Sequence, residues 1–444
     1  MIIHGASVID PANGIRGRYD VVIQDGVITA LAAPQSRPDG VHGERIDATG
    51  CLVLPGLIDM HVHLREPGYE YKETIATGAR AAVAGGFTAV ACMANTDPVN
   101  DSAAVTEYIR ERAQAVGLAR VYPVGAVSRE LKGKQLAEIG EMHAAGIVAV
   151  SDDGVPLMDG GLMRHALEYS AMFQLPVIAH AEDRSIAGNG VMNEGVLSLR
   201  LGLQGVPAAA EEAMIARDIA LLERTGGHLH VAHVSTAGAV ALVRAAKRRK
   251  LAVSAEVTPH HFTLTEAAVD GYNTNAKMNP PLRTARDRDA VRAGLADGTI
   301  EVIATDHAPH HRDEKDVEFD QALNGVIGLE TALPLALQMA DEANIPVETL
   351  VACMSVNPAR ILHLPHGTLA VGAPADVTIV DPVHRWTVEA ARFASKARNT
   401  PFEGMELRGC ARLTIVGGRV VWRAGAQAER PPSVAAAAGP GVSR

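Results

Sequence analysis

The sequence predicts an α/β fold: a (β/α)8 TIM-like barrel with a small β-sandwich domain formed by the N- and C-terminal segments. Two observations lead to this prediction. Eight short apolar runs alternate with helix-compatible segments in the middle of the chain, and both ends carry β-hairpin patterns. The length of 444 residues is enough for one large domain and a smaller one.

The eight apolar runs are rich in Val, Ile and Ala, as expected for parallel strands that are buried on both faces. A doubly wound open sheet would produce a similar alternation, but the count of eight favours the closed barrel. The runs are Leu52–Met60, Phe87–Met93, Arg120–Ala126, Ile147–Ser151, Pro176–Ala181, Leu229–His233, Leu251–Val257 and Ile300–Thr305.

Each end of the chain contains two β-prone runs that flank a tight turn. Asp20–Gln24 precedes the turn Asp25-Gly26, and Leu413–Val416 precedes the turn Gly417-Gly418. A further β-prone run begins at Asp376. We expect these two ends to form one small β-domain.

This organisation divides the chain into four parts. Residues 1–50 and 367–427 are predicted to form the sandwich domain, and residues 51–366 the barrel. Residues 428–444, which are rich in Pro and Ala, have little to bury and are predicted to be a disordered tail.

The composition is typical of a soluble globular protein, with 47% apolar and 21% charged residues. A net charge of −10 gives no positive field for nucleic acid or anionic lipid, and no apolar run reaches the ~20 residues that cross a bilayer. The one basic cluster, Lys247–Lys250, is predicted to be a solvated helix end. The cysteines form no C-x-x-C pair and no secretory leader begins at Met1, which predicts a reduced, cytoplasmic protein; they are Cys51, Cys92, Cys353 and Cys410.

His61 and His63 form a His-x-His pair at the end of the first predicted barrel strand. With 18 His in 444 residues, chance alone gives roughly 0.7 such pairs, so the pair by itself is weak evidence. Its position is more informative, because residues two apart on an extended strand point to the same side. Both imidazoles are then able to bind one cation.

Several other predicted barrel strands also end near residue types that bind metals. The carboxyl ends of the strands form the active site of barrel enzymes, so these side chains are expected to converge. Imidazole with carboxylate suits Zn²⁺, and Mn²⁺, Fe²⁺ and Co²⁺ are alternatives. A second pair, His228 and His230, lies earlier in its strand and is predicted to be structural. The residues at the strand ends are Asp152, Asp153, His180, His233 and Asp306.

Four motifs carry a resemblance to a known family. They are His-Val-His-Leu-Arg-Glu-Pro-Gly at 61–68, Met-Ala-Asn-Thr at 93–96, Met-Asn-Pro-Pro-Leu-Arg at 278–283 and Thr-Asp-His-Ala-Pro-His at 305–310. Together they resemble dihydroorotases of the long bacterial type in the amidohydrolase superfamily, and the likeness covers nearly the whole chain. It implies reversible zinc-dependent cyclisation of N-carbamoyl-L-aspartate to (S)-dihydroorotate in pyrimidine biosynthesis.

The resemblance also implies a set of zinc ligands. Many members of the superfamily bridge two metals with a carboxylated lysine after the fourth strand, whereas the sequence Ser-Asp-Asp-Gly at 151–154 offers no lysine. This resembles a subgroup in which an aspartate takes that place and the number of metals varies, so one or two zinc ions are expected. Spacing alone does not choose between Asp152 and Asp153. The implied ligands are His61, His63 and Asp306 for one zinc, His180 and His233 for a second, and Asp153 between them.

Arg65 continues the alternation of positions 61 and 63, and its guanidinium is expected to clasp a substrate carboxylate beside the metals. The resemblance implies that Asp306 is the catalytic base, which takes a proton from the attacking water and passes it to the leaving ring nitrogen. The further substrate contacts that it implies are His63, Asn95, Asn279, His310, and the backbone at Asn324 and Gly325.

Two other functions remain open at this point. An allantoinase or hydantoinase would share the fold and the metals, although Arg65 favours a substrate with a free carboxylate. An inactive dihydroorotase-like support for aspartate transcarbamoylase is disfavoured by the retained ligand positions. A transcarbamoylase complex and a homo-oligomer are both expected from the resemblance, and the charged segment 310–316 is either a mobile flap or a solvated loop.

Overall fold

An eight-stranded parallel barrel forms the centre of the computed structural model, which describes residues 1–34 and 43–425. Each barrel strand pairs in parallel with the next along the chain. The barrel closes where Val62 bridges His307 and the backbone N–H of His63 donates to the carbonyl of His307 at 2.9 Å. The predicted barrel is therefore confirmed. Its strands are Leu57–Val62, Phe87–Cys92, Arg120–Gly125, Ala149–Ser151, Val177–Ala179, Leu229–Val231, Val253–Val257 and Val302–Ile303.

A longer helix follows each barrel strand, and its apolar side chains join those of the strands in one large buried cluster. Thr74, Thr236 and Thr284 begin three of these helices, because each side chain accepts a hydrogen bond from a backbone N–H of the first turn. The helices are Ile75–Ala84, Ala103–Val116, Ile139–Ala145, Gly160–Ala171, Ala209–Thr225, Ala237–Arg248, Ala285–Ala296 and Ala332–Ala343.

The first apolar run, Leu52–Met60, is two strands and not the single barrel strand that the pattern predicts. Leu52–Pro55 belongs to a sheet of the sandwich, whereas Leu57–Val62 begins the barrel. Gly56 separates them, and a Cβ atom there would lie 2.1 Å from the side-chain oxygen of Thr88. This close approach explains why position 56 is a glycine. Because apolar residues continue on both sides of Gly56, the hydropathy pattern gives no sign that one strand ends and another begins there.

Two sheets from the chain ends pack together beside the barrel. Their side chains share one buried apolar cluster, to which Ile3 and Val21 contribute from one sheet and Val53 and Ile379 from the other. The predicted sandwich and both predicted hairpins are confirmed. In spatial order the larger sheet contains Arg419–Arg423, Glu406–Val416, Val377–Thr387, Leu52–Pro55, Ser7–Asp10 and Ile15–Arg18, and the smaller contains Val27–Ala32, Asp20–Gln24, Ile2–His4 and Arg45–Asp47.

The remaining elements are short. The basic cluster at Lys247–Lys250 ends the helix Ala237–Arg248, as predicted. The predicted tail, 428–444, lies outside the described residues. Within those residues, no helix combines the length and apolar character needed to span a membrane. The short elements are the helices Arg184–Ala187, Val196–Leu201, Pro259–Thr263, Val347–Val351 and Asn357–Ile361, the 3-10 turns Pro11–Asn13, Arg129–Leu131, Glu266–Val269, Thr274–Ala276, Arg312–Glu314 and Ala390–Arg392, the π-turn Ala352–Val356, and the strand pair Met192–Asn193 and Gly205–Val206.

Candidate metal centre at the carboxyl end of the barrel

Six of the predicted site residues meet at the carboxyl end of the barrel. One lies in the first strand, and the others follow their strands by one to three residues. None of the six is more than 7% exposed. They form two groups that share Asp153, and within each group the candidate ligand atoms lie within 4.8 Å of one another. The six residues are His61, His63, Asp153, His180, His233 and Asp306.

The first group consists of His61, His63, Asp306 and one oxygen of Asp153. His63 Nε2 lies 3.0 Å from Asp306 Oδ1 and 3.4 Å from Asp153 Oδ2. His61 Nε2 lies 3.4 Å from Asp153 Oδ2 and 3.6 Å from Asp306 Oδ1. Both histidines therefore direct Nε2 at the same two carboxylates.

The second group consists of His180, His233 and the other oxygen of Asp153. His180 Nδ1 lies 3.5 Å from Asp153 Oδ1, and His233 Nε2 lies 3.3 Å from the same oxygen. The two histidine nitrogens are 2.9 Å apart. This group thus offers two imidazole nitrogens and one carboxylate oxygen.

Asp153 turns one carboxylate oxygen to each group, which is the arrangement of a carboxylate between two cation positions. Its neighbour Asp152 has a different role. Asp152 Oδ1 accepts hydrogen bonds from the backbone N–H groups of Val127 and Ser128 at 2.8 and 2.9 Å, and so holds the loop after the third barrel strand. The geometry thus separates two aspartates that spacing alone does not distinguish.

Both carboxylates of the first group are ionised at neutral pH. Burial raises the pKa of Asp153, but the charge of His61 and the hydrogen bonds of His180 and His233 outweigh it and hold the pKa well below its ordinary value. Burial also raises the pKa of Asp306, and the neighbouring His63 and His61 bring it below the ordinary value. A metal ligand needs this ionised form.

His61 Nε2 is the clearest sign that the first group fits a cation. The side chain is fully buried, and this nitrogen has no hydrogen-bond partner among the described residues. Nδ1 of the same ring lies 2.6 Å from Glu256 Oε1 and donates to it. Burial lowers the pKa of His61, but Asp153 and Glu256 raise it well above its ordinary value, so without a cation the ring also carries a proton on Nε2. A cation held by the two carboxylates would replace that proton. Imidazole nitrogens and carboxylate oxygens are ligands of zinc and similar divalent ions. The residues present therefore fit a divalent metal.

Glu256, in the seventh barrel strand, is a site residue that sequence reasoning missed. It is 0% exposed, and its oxygens also face the backbone N–H of His233 at 3.3 Å and His230 Nε2 at 3.1 Å. Burial raises its pKa, but His61 and His230 together hold the pKa well below the ordinary value. The only sequence signal is an acidic residue within an otherwise apolar and small-residue strand, Val253–Val257.

Arg65 lies beside the cluster, half-buried, with a left-handed φ of +63°. Its Nε donates to the carbonyl of Pro309 at 3.2 Å. Burial lowers the pKa of the guanidinium, and the nearby carboxylates of Asp306 and Glu314 oppose this shift. Its terminal nitrogens have no hydrogen-bond partner within residues 1–34 and 43–425, so they remain available to an anion.

Asn95 and Asn279, both predicted to contact substrate, each lie against a candidate metal ligand. Asn95 Oδ1 accepts a hydrogen bond from His63 Nδ1 at 2.8 Å, which leaves His63 Nε2 free for a metal. Asn279 Nδ2 lies 3.4 Å from His180 Nε2 and 3.2 Å from Glu182 Oε1. Glu182 was not predicted.

His310, Asn324 and Gly325 lie together, as the predicted substrate contacts require. His310 Nε2 donates to the carbonyl of Asn324 at 2.8 Å. Gly325 has a φ of +133°, and a Cβ there would lie 3.0 Å from His310 Nε2. Asn399, which sequence reasoning missed, binds the same wall: its Nδ2 donates to the carbonyls of Ala308 and Gly325 at 2.9 and 3.0 Å.

Cations surround His310. Burial, followed by the charges of Arg65, Lys72 and Lys315, lowers the pKa of His310 to about 3, so its imidazole is neutral. Glu314 is the carboxylate nearest to it, with Oε2 3.4 Å from His310 Nδ1. This side of the site is therefore favourable for anions.

A parallel barrel with this cluster, combined with a β-sandwich from both chain ends, defines the class of metal-dependent amidohydrolases. The fold is similar to the L-hydantoinase of Arthrobacter aurescens, with a TM-score of 0.84, 26% identity and coverage of 95% of this chain and 96% of that chain. It is also similar to the D-hydantoinase of Thermus sp., with a TM-score of 0.80, 26% identity and coverage of 95% of each chain.

Sequence comparison narrows the class to one family. The family model described as dihydro-orotase-like matches residues 50–239. The dihydroorotase of Syntrophotalea carbinolica is 56% identical over 423 residues, which are 95% of this chain and 99% of that protein. The dihydroorotase of Anaeromyxobacter sp. strain K is 57% identical over 427 residues, which are 96% of this chain and 98% of that protein. The chain belongs to the dihydroorotase family.

Proposed function

We propose that this protein interconverts N-carbamoyl-L-aspartate and (S)-dihydroorotate, with water released on ring closure, in pyrimidine biosynthesis. The observation that carries the proposal is the intact cluster around Asp153 with the cation of Arg65 beside it. Relatives with the dihydroorotase name at 54% to 57% identity over nearly the whole chain support the choice of substrate.

The cofactor we propose is Zn²⁺, one or two ions per chain. His61, His63 and Asp306 would hold one ion and His180 and His233 the other, with Asp153 between them. When bound, a divalent metal activates water as a nucleophile and polarises the carbonyl under attack.

Asp306 is the proposed proton carrier. It is buried beside His63, and its lowered pKa leaves it ionised and able to accept a proton from the attacking water. In the hydrolytic direction it passes that proton to the leaving ring nitrogen, and in the synthetic direction the transfers are reversed. Its fixed position beside the reacting atoms matters more than its basicity.

We propose that the groups near Arg65 and His310 orient the substrate. The free terminal nitrogens of Arg65 would bind the substrate carboxylate in a bidentate way. Further proposed contacts are the side chains of His63, Asn95, Asn279 and His310 and the backbone at Asn324 and Gly325. The guanidinium of Arg65, whose terminal nitrogens are free of partners in the described part of the chain, favours a substrate with a free carboxylate over a neutral hydantoin ring.

We place the enzyme in the cytoplasm, as a homo-oligomer that also associates with aspartate transcarbamoylase. The boundary predicted at 50/51 moves to Gly56, because Leu52–Pro55 pairs within the sandwich, and we keep the division at 366/367 between the barrel and the sandwich. An inactive supporting role is disfavoured, because the six metal-competent side chains are all retained.

The test is an assay of dihydroorotate hydrolysis on protein of measured zinc content, with and without aspartate transcarbamoylase. We expect turnover that depends on zinc and exceeds turnover of hydantoin and allantoin. Faster turnover of either of those rings would reassign the substrate. No activity in any mixture after zinc reconstitution would point to the inactive supporting role.

A further inference from the structure

Lys315 is a buried lysine, and among the described residues its ammonium group binds only backbone carbonyls. It is 5% exposed, and Nζ donates to the carbonyls of Leu323 at 2.7 Å, Gly325 at 3.1 Å and Lys277 at 3.3 Å. Three acceptors match the three N–H donors of an ammonium group.

Within residues 1–34 and 43–425, no carboxylate forms an ion pair with Lys315. Lysine is almost never fully buried unless it is paired, because loss of hydration disfavours the charged form. Burial, together with the charge of Lys277, accordingly lowers the pKa of Lys315 to about 7. Because burial of this ammonium group costs free energy of desolvation, we expect its contacts to have a specific role.

The three carbonyls connect the segments that carry proposed substrate contacts. Lys277 lies two residues before Asn279, Leu323 and Gly325 flank Asn324, and Lys315 itself lies five residues after His310. The carbonyl of Lys277 also accepts a hydrogen bond from the backbone N–H of Gly325 at 3.0 Å. One ammonium group thus joins three separate parts of the substrate wall.

The segment that carries Lys315 is itself attached to the barrel side. Glu314 accepts hydrogen bonds from Tyr71 Oη at 3.0 Å and from Lys72 Nζ at 2.9 Å. The backbone N–H of Leu323 donates to the carbonyl of Glu314 at 3.1 Å. The backbone next to Lys315 is therefore held in place by contacts with the rest of the protein.

We propose that Lys315 is a positioning residue for the substrate: its ammonium group fixes the wall formed by His310, Asn279 and Asn324–Gly325. The inference rests on the proposed function, because the substrate role of that wall comes from it. The three N–H donors of Lys315 are used by backbone carbonyls, and none of its hydrogen bonds within the described residues goes to a proposed metal ligand, so its loss should impair binding more than chemistry.

The test replaces Lys315 with methionine, which has a similar length and no donor. We expect the KM for dihydroorotate to rise about tenfold or more, kcat to change by less than about threefold, and zinc content to stay at the wild-type value. Hydrogen exchange of the Leu323 and Gly325 amides should become faster, since both amides lie in the segment that Lys315 holds.

Lys396→Met is the matched control. Lys396 is exposed, borders the same cavity as Lys315 and also donates to one backbone carbonyl, that of Glu70, at 2.6 Å. Its replacement should leave KM and the two exchange rates unchanged. If Lys315→Met does not fold, Lys315→Gln keeps an N–H donor of similar reach and should raise KM in the same direction by a smaller factor.

The outcomes separate the two proposals. Zinc-reconstituted wild-type protein that fails to hydrolyse dihydroorotate both with and without aspartate transcarbamoylase would overturn the proposed function, while faster exchange in the lysine variant would still support the structural part of this inference. Wild-type turnover with an unchanged KM in the folded variants would overturn the role of Lys315. A fall in kcat of about tenfold with an unchanged KM would also overturn it.

Discussion

Replacement of Glu256 by glutamine should weaken divalent-metal binding without abolishing it. The glutamate lies behind His61, with Oε1 2.6 Å from Nδ1, and is completely buried. Glutamine has the same length and its carbonyl still accepts a hydrogen bond from His61, so the change removes the charge and preserves the shape. Loss of such a partner typically lowers metal affinity by about 10- to 100-fold, or about 1.4 to 2.8 kcal/mol.

The surroundings of Glu256 are able to accept an amide. The new NH2 group would face His230 Nε2, now 3.1 Å from Glu256 Oε2. His230 satisfies it by carrying its proton on Nδ1, which lies 2.7 Å from the hydroxyl of Ser254, a group that both donates and accepts. The fold should therefore persist, and the loss should be confined to the electrostatic support of His61.

The assay is a competition between metal-free protein and a chromogenic chelator for zinc, which yields both affinity and stoichiometry. The position bound through His61 should weaken, and kcat at saturating zinc should fall by less than about tenfold. Ser254→Ala is the control, because it removes a contact of His230 and leaves Glu256 in place. Zinc affinity within about twofold of wild type, or an equal loss in the Ser254 variant, would refute the reasoning.

Three further predictions concern single residues. Asp306→Asn should lower kcat by at least about a hundredfold with an unchanged circular dichroism spectrum, and activity within about tenfold of wild type would remove its role in proton transfer. Arg65→Met should raise the KM for dihydroorotate by about a hundredfold, and Arg65→Lys should restore only part of it because lysine lacks the bidentate fork; full restoration by lysine would contradict the fork. Burial raises the pKa of Asp218 to about 6, so the stability it contributes is present below its unfolded pKa and is lost as pH rises through 6. Relative to wild type, Asp218→Asn should therefore gain about 2 kcal/mol of unfolding free energy between about pH 4 and pH 7 in urea titrations, and a difference that does not change with pH would contradict the shift.

The barrel and the central residues of the site follow from the sequence because they depend on local pattern. A parallel strand that is buried on both faces must be apolar along its length, so most strands show as runs that end near their true ends. Asp306 comes directly after the run Ile300–Thr305, and His180 lies at the end of the run Pro176–Ala181. The closure of the barrel then brings them together whatever their separation along the chain.

The division at Gly56 could not be predicted for the same reason. Both halves of Leu52–Met60 are buried, one in the sandwich and one in the barrel, so their hydropathy is the same. What distinguishes them is pairing with distant strands, such as that between Val53 and Ile379. Pairing over more than 300 residues leaves no trace in the local pattern.

The supporting residues were missed because their role appears only across strands. His230 was predicted to be structural, and neither of the two metal-competent groups found among the described residues includes it. Yet His230 contacts Glu256 on the next strand, and Glu256 contacts His61 on the first. Pattern along one strand identifies the direction of a side chain, but not the partner opposite it.

These buried contacts also determine how strongly substitution of a supporting residue should affect metal affinity. His61 Nδ1 is hydrogen-bonded to the carboxylate of Glu256, and His63 Nδ1 is hydrogen-bonded to the side-chain amide of Asn95. A different neighbour therefore fixes the Nδ1 proton of each histidine. A charged partner favours the metal-bound form of its histidine more strongly than a neutral amide does. The loss of Glu256 should therefore cost more metal affinity than the loss of Asn95, although Asn95 lies closer in sequence to the motif that marks the site.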